Sequence, residues 1–297
     1  MAGVTFSVGR GETLCVMALS GCGKSTLLRH INRLIEPSAG QIWINGRNIS
    51  ALTERDLRSL RASQIGMVFQ NMALWPHFTV LENVTFALHG RGKDKRDKLD
   101  AGRAALRAVR LDGWEDHYPD QLSGGMQQRV GLARALASGP EILLMDEPFS
   151  ALDPVVRREQ GDQFAELTRR MGKTSVFITH DFEEAVRIGD RIAIMCEGKI
   201  VQIGSPFQII HDPANEYVRS FLEGINHLHA VTAETVMEPS VKKGVESWPS
   251  VSTQDRLAVL IDRLRGSSTP LAVRADEQVV GTITADNLLA AVRSRLG

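Results

Sequence analysis

The chain has 297 residues, 43% of them hydrophobic, enough for one large domain and a small one with a sizeable core. Its 35 lysines and arginines balance 35 aspartates and glutamates, so composition argues for neither a nucleic-acid partner nor a strongly charged membrane surface. Cys15, Cys22 and Cys196 have no metal-ligand spacing and fit a reducing cytosol, and no apolar run approaches the roughly 18 residues of a membrane span. A role at a membrane therefore needs another chain to cross it.

In chain order, Val4-Thr5-Phe6-Ser7-Val8 alternates like a half-buried strand and enters a Gly9-Arg10-Gly11-Glu12 turn. The apolar run Leu14 to Leu19, the stretch Ser20-Gly21-Cys22-Gly23-Lys24-Ser25-Thr26, and then Leu27, Leu28, Ile31, Leu34 and Ile35 predict a buried strand, a glycine turn and an amphipathic helix. Such a turn holds phosphate. Its glycines let successive amides face one anion, the helix start adds partial positive charge, Lys24 adds a full one, and the Ser25 hydroxyl is placed for magnesium. Ala18 stands where this loop pattern usually has glycine, a neutral change as long as its φ stays negative. Cys22, among the phosphate-cradling amides, reads as an oxidation-sensitive thiol or, preferably, as a small residue in a variable slot.

A breaker cluster at 36–40 precedes a strand over 41–46 that closes in an Asn45-Gly46 turn, and a short charged helix follows over 52–60. A strand over 65–70 ends on Gln70, an amide able to orient a metal or a water at a strand's carboxyl end. Residues 71–121 turn helical, with amphipathic segments separated by a charged run over 91–98 that reads as a solvated loop and helix start. Leu122-Ser123-Gly124-Gly125-Met126-Gln127-Gln128 is a second anion-binding helix start, capped by Ser123, with a helix over 126–137. Ile142 to Glu147 is a buried strand with two acids at its carboxyl end: Asp146 for magnesium, and Glu147 to take the proton of an attacking water. A long helix to residue 170 is capped over 149–154, and the buried strand 174–179 delivers His180 to the same crevice.

Beyond a helix opening at Ser205-Pro206, residues 224–230 read as a linker whose His227 and His229 lack further metal ligands. From Val231 the pattern restarts as β-α-β-β-α: a strand over 233–237, a helix carrying Leu257, Leu260, Ile261 and Leu264, strands over 270–273 and 279–283, and a helix over 285–292.

Gly21 to Thr26, Gln70, Leu122 to Gln128, Leu143 to Glu147 with Ser150 to Asp153, and His180 occur in one order, which resembles the nucleotide-binding subunit of ABC transporters. The resemblance covers about residues 1–225. It implies an α/β fold with a P-loop NTPase (ABC ATPase) core, a helical subdomain over about 71–138, a linker at 226–232, and a small α+β domain at 233–297 that resembles a single CBS module. It implies ATP and Mg2+ as cofactors. Ser20, Gly21, Cys22, Gly23, Lys24, Ser25 and Thr26 would hold the triphosphate, with Ser25, Gln70 and Asp146 at the metal. Glu147, His180 and Gln70 would be catalytic. Ser123, Gly124, Gly125 and Gln127 would close on ATP held by a second, head-to-tail copy, with Ser150 and Asp153 crossing that seam.

The stretches Asn32-Arg33-Leu34-Ile35-Glu36-Pro37, Ala73-Leu74-Trp75-Pro76-His77, 187–195 and 213–218 look like the branch that imports glycine betaine, proline or choline. The implied partners are an integral membrane permease and, indirectly, a substrate-binding protein, at the cytoplasmic face of the inner membrane, with no nucleic acid. An importer for another small nutrient such as an amino acid, or a soluble ABC ATPase, is the alternative. Family members stack adenine on an aromatic upstream of the phosphate loop; none precedes it here beyond Phe6, so weak ATP affinity is expected. In the tail, Thr284 is followed three residues on by Asn287 where adenosine-binding CBS modules carry an acid, which favours dimerisation or ionic-strength sensing.

Overall fold

The computed structural model describes the chain except residues 20, 71, 90–93, 224–231, 240–244, 265–268, 276–277 and 296–297. Ser20, part of the charged run and the linker with His227 and His229 thus lie outside the described residues. The chain divides into two compact units, Met1–Ile200 and Val201–Gly297.

The first unit is built on parallel strands whose apolar runs are buried on both faces. β1 (Thr13–Met17) is followed by α1 (Lys24–Ile31), the hairpin strands β2 (Trp43–Ile44) and β3 (Arg47–Asn48), α2 (Glu54–Gln64), β4 (Ile65–Val68), α3 (Val80–Phe86), α4 (Lys95–Ala108) and α5 (Gly124–Leu136). Then come β5 (Ile142–Asp146), α6 (Pro154–Arg170), β6 (Thr174–Thr179), α7 (Phe182–Ile188) and β7 (Arg191–Cys196), and β8 (Lys199–Gly204) straddles the division at residue 200. The sheet runs β4-β5-β6-β1-β7-β8. The parallel registers pair Met17 with Thr179 and Asp146 with Ile178, so β1, β5 and β6 end along one edge. Loops leaving the carboxyl ends of adjacent parallel strands are where α/β sheets bind ligands.

Local chemistry sets the helix starts. Thr53, Thr79, Asp94, Ser123, Asp153 and Asp181 each accept from a first-turn amide of the helix they open, and Thr79 with Glu82 completes a capping box. Phe149, Phe164 and Phe177 form one buried aromatic cluster under α6, with centroids 5.4–6.3 Å apart. Helices α3, α4 and α5 pack on one another in the stretch the sequence marks as helical.

Two elements depart from the sequence-based expectation. Residues 4–8 half-bury every second side chain, as the alternation requires, but lie in no ladder among the described residues. The strand expected over 41–46 shrinks to the two-residue β2, because Asn45 and Gly46, both at positive φ, turn the chain straight back into β3.

In the second unit, α8 (Pro206–His211) and α9 (Glu216–Glu223) precede α10 (Ala233–Val236), β9 (Ser250–Ser252), α11 (Leu257–Leu264), β10 (Leu271–Ala275), β11 (Gln278–Ile283) and α12 (Ala285–Arg295). α8 packs on α12 within the unit that begins at Val201. β10 pairs parallel with β9 and antiparallel with β11, and Leu257, Leu260, Ile261 and Leu264 of α11 are buried. The strand expected over 233–237 is the helix α10, where a hydrogen bond between the Thr232 amide and the Thr235 hydroxyl closes a first turn in place of a ladder. The strand β9 fills the place of that expected first strand.

Candidate active site

β1 delivers the phosphate loop. The chain leaves Met17 through Ala18, which is buried and keeps a negative φ, so the alanine there carries no backbone strain. Gly21 (φ 84°) and Gly23 (φ 94°) occupy the left-handed region that favours glycine, and Gly23 is the N-cap of α1 without a side-chain cap. The first amides of α1 thus face outward with nothing from Gly23 to bond them, the geometry that attracts a phosphate.

Lys24 is 6% exposed, and its ammonium donates to the carbonyl oxygens of Ala18 at 3.0 Å and Leu19 at 3.4 Å. It stands 3.5 Å from Glu147 Oε1. Ser25 Oγ donates to Asp146 Oδ1 at 2.7 Å across 121 residues of sequence. A hydroxyl and a buried carboxylate, together with phosphate oxygens and water, are the hard oxygen set that magnesium takes, so these two residues fit that ion.

Glu147 holds a positive φ of 46°, uncommon outside glycine, and its amide donates to Ile178 O at 3.1 Å. Its carboxylate bridges two side chains: Oε1 meets Lys24, and Oε2 lies 3.0 Å from His180 Nδ1. A carboxylate only accepts, so Nδ1 of this half-exposed ring is the donor in that contact. Lys24, Ser25, Asp146, Glu147 and His180, drawn from the ends of three adjacent strands, are therefore one cluster. Gln70 follows β4, exposed, and among the described residues no hydrogen bond joins it to that cluster.

The second candidate group stands apart. Ser123 Oγ accepts from the Met126 amide at 3.3 Å and opens α5. Gly125 lets α6 approach, since a Cβ there would come within 3.1 Å of Val156 Cγ1. The Gln127 amide turns back to donate to Pro119 O and Leu122 O, so that side chain fastens the preceding turn. Among the described residues no hydrogen bond or ion pair links Ser123, Gly124, Gly125 or Gln127 to the Lys24 cluster. Ser150 Oγ donates to Glu147 O at 3.0 Å, and Asp153 accepts from Val155 and Val156 amides to cap α6.

Three residues beside the site carry no motif. Arg157 Nη1 pairs with Asp181 Oδ2 at 3.0 Å, while Nη2 donates to Leu152 O at 3.0 Å and Ser150 O at 3.4 Å. Glu184 is buried with Oε1 unpaired; burial pushes its carboxyl up to about 7, with Asp181 and Glu147 adding to the rise and the Thr179 hydroxyl and Arg157 opposing it. Burial likewise pushes the Cys15 thiol well above its ordinary value, helped by Glu184 and Asp190. Asp181, which directly follows His180, caps α7.

The family profile described as ABC transporter matches residues 1–150. The chain is 46% identical over 291 residues to the glycine betaine transport ATP-binding protein OpuAA of Bacillus subtilis, covering 98% of this chain and 68% of that protein. It is 42% identical to the glycine betaine/proline betaine transport system ATP-binding protein ProV of Escherichia coli, covering 99% of this chain and 73% of that one. It is also 41% identical to the trimethylamine N-oxide transport system ATP-binding protein TmoW of Pelagibacter ubique, covering 98% and 85%. Among solved structures, the dimeric structure of MJ0796, a bacterial ABC transporter cassette, superposes with a TM-score of 0.62 at 35% identity over 68% of this chain and 89% of that one. A post-hydrolysis form of that dimer bound to ADP and Pi matches with a TM-score of 0.61.

Proposed function

The chain belongs to the ABC transporter family as one of its ATP-binding subunits, and from that premise we propose that it hydrolyses ATP to power uptake of a compatible solute such as glycine betaine, proline or choline. The convergence of Lys24, Ser25, Asp146, Glu147 and His180 at the ends of β1, β5 and β6 carries this reading. The α1 amides and Lys24 bind the β- and γ-phosphates of ATP. Ser25 and Asp146, with Gln70, hold Mg2+, which supplies charge neutralisation on the phosphate oxygens. Glu147 accepts the proton of the attacking water as its oxygen bonds to the γ-phosphorus and ADP departs, and His180 holds the γ-phosphate and that water.

A second copy supplies the rest. Ser123, Gly124 and Gly125 form an anion-binding helix start that, among the described residues, no hydrogen bond joins to the Lys24 cluster of their own chain, which supports a head-to-tail pair in which each copy closes on the other's ATP, with Ser150 and Asp153 at the seam. The solved cassette of similar fold is dimeric.

The membrane partner is an integral permease, fed by a substrate-binding protein. No helix of the described residues is long and apolar enough to cross a membrane. Trp75, Phe78 and Phe86 meet His77 and His89 in edge-on and tilted ring contacts on the surface around α3, with Trp75 44% and Phe86 42% exposed, and an exposed aromatic cluster of this kind supports a docking face for that permease. The subunit would then sit peripherally at the cytoplasmic face. The tail from 233 to 297, with its parallel β9-β10 pair and flanking helices, supports a single CBS-like module that pairs across the dimer or senses ionic strength. Asn287 is spent within the tail, bonded to Thr284 and Glu238, which speaks against a nucleotide there.

Reconstituting the chain with its permease and binding protein in liposomes tests the solute. ATP-dependent accumulation of radiolabelled glycine betaine, proline or choline is expected. Accumulation of an amino acid such as methionine, with none of those three, overturns the solute class.

A further inference from the structure

We propose that Arg157 is a positioning residue for hydrolysis, because its guanidinium joins the loop that follows Glu147 to the loop that carries His180. The inference rests on the roles proposed above for Glu147 and His180. Arg157 lies in the first turn of α6, and neither its spacing nor its neighbours in sequence give it a part in phosphate binding. Its two terminal nitrogens point at different segments: Nη2 donates to the Leu152 and Ser150 carbonyls, and Nη1 pairs with Asp181.

Each segment is in turn tied to a reacting group. Ser150 donates through both its amide and its hydroxyl to the Glu147 carbonyl, at 3.3 and 3.0 Å, so the turn Glu147–Ser150 moves as a unit. Asp181 adjoins His180, its amide donates to Thr179 Oγ1 at 2.9 Å, and its other carboxylate oxygen caps α7. The planar fork of a guanidinium spans two such segments at fixed separation, which an ammonium cannot do. The Glu147–His180 distance of 3.0 Å is what this connection sets. Side chains of Arg157 and Asp181 are only about a quarter exposed, at 23% and 26%, so the pair is partly shielded from water and salt.

The loss expected on removal falls on turnover and not on ATP binding, since neither Arg157 nor Asp181 bonds to Lys24, Ser25 or the loop glycines. In the full-length chain with its permease, Arg157→Met should lower kcat by roughly tenfold to a hundredfold, the scale of a misplacement of about 1 Å, while ATP affinity stays within about threefold. Asp181→Asn, which keeps the helix cap, should do the same. The double variant should lose no more than either alone, and Arg157→Lys should recover only part. If Arg157→Met does not fold, Asp181→Asn is judged by the same split. A folded variant with wild-type kcat, a proportional loss of ATP affinity, or fully additive losses overturns the inference. Wild-type protein without ATPase activity would instead bring down the functional reading beneath it.

Discussion

Glu184 shows how one buried residue ties stability to pH. Its carboxyl titrates near 7 in the folded protein against an ordinary 4.5, because burial disfavours the charge. The unfolded chain therefore gives up the proton first, so this group's contribution to stability is fully retained below about 4.5 and falls as pH rises towards 7. The shift corresponds to about 3 kcal/mol at most. Glu184→Gln should flatten this part of the pH dependence of urea unfolding between pH 5 and pH 8, leaving the variant more stable relative to wild type at pH 8 than at pH 5. Equal slopes in both proteins would show that Glu184 does not carry the effect. At the same scale Ala18 carries no backbone strain, because φ remains negative there, and its carbonyl accepts from Lys24.

Between elements, small residues set how closely layers approach. Gly66 in β4 faces α5, and a Cβ there would lie 2.7 Å from Ala135 O, 2.9 Å from Leu143 Cδ2 and 3.0 Å from Pro140 Cγ. Gly66→Ala should therefore force α5 outward at a cost of about 1–3 kcal/mol, read as a lowered thermal midpoint. An unchanged midpoint would mean the layers yield freely. The strands β1, β5 and β6 were legible in the sequence because inner parallel strands read as unbroken apolar runs ending in a polar residue. β9 was not, since Ser250–Ser252 buries only Val251 and offers no run. α10 was mistaken for a strand because five residues are too few to separate a period of 2 from one of 3.6. The Arg157–Asp181 connection was invisible for a different reason: contacts across 24 residues between a helix and a loop have no fixed spacing.

At the scale of the whole molecule, the ordered motifs made the family and the identity of the clustered residues legible, while the packing that brings Ser25 to Asp146 and Glu147 to His180 had to come from the fold. In the head-to-tail pair proposed above, a Ser123-capped helix start would meet each bound triphosphate, and hydrolysis would depend on protein concentration. The most direct test is Glu147→Gln in the purified, magnesium-loaded chain, following ATP turnover and sedimentation together. The account predicts that the variant binds ATP, sediments as a stable dimer and turns over at least about a hundredfold more slowly than wild type. Turnover equal to wild type, or an ATP-bound variant that stays monomeric, would contradict it.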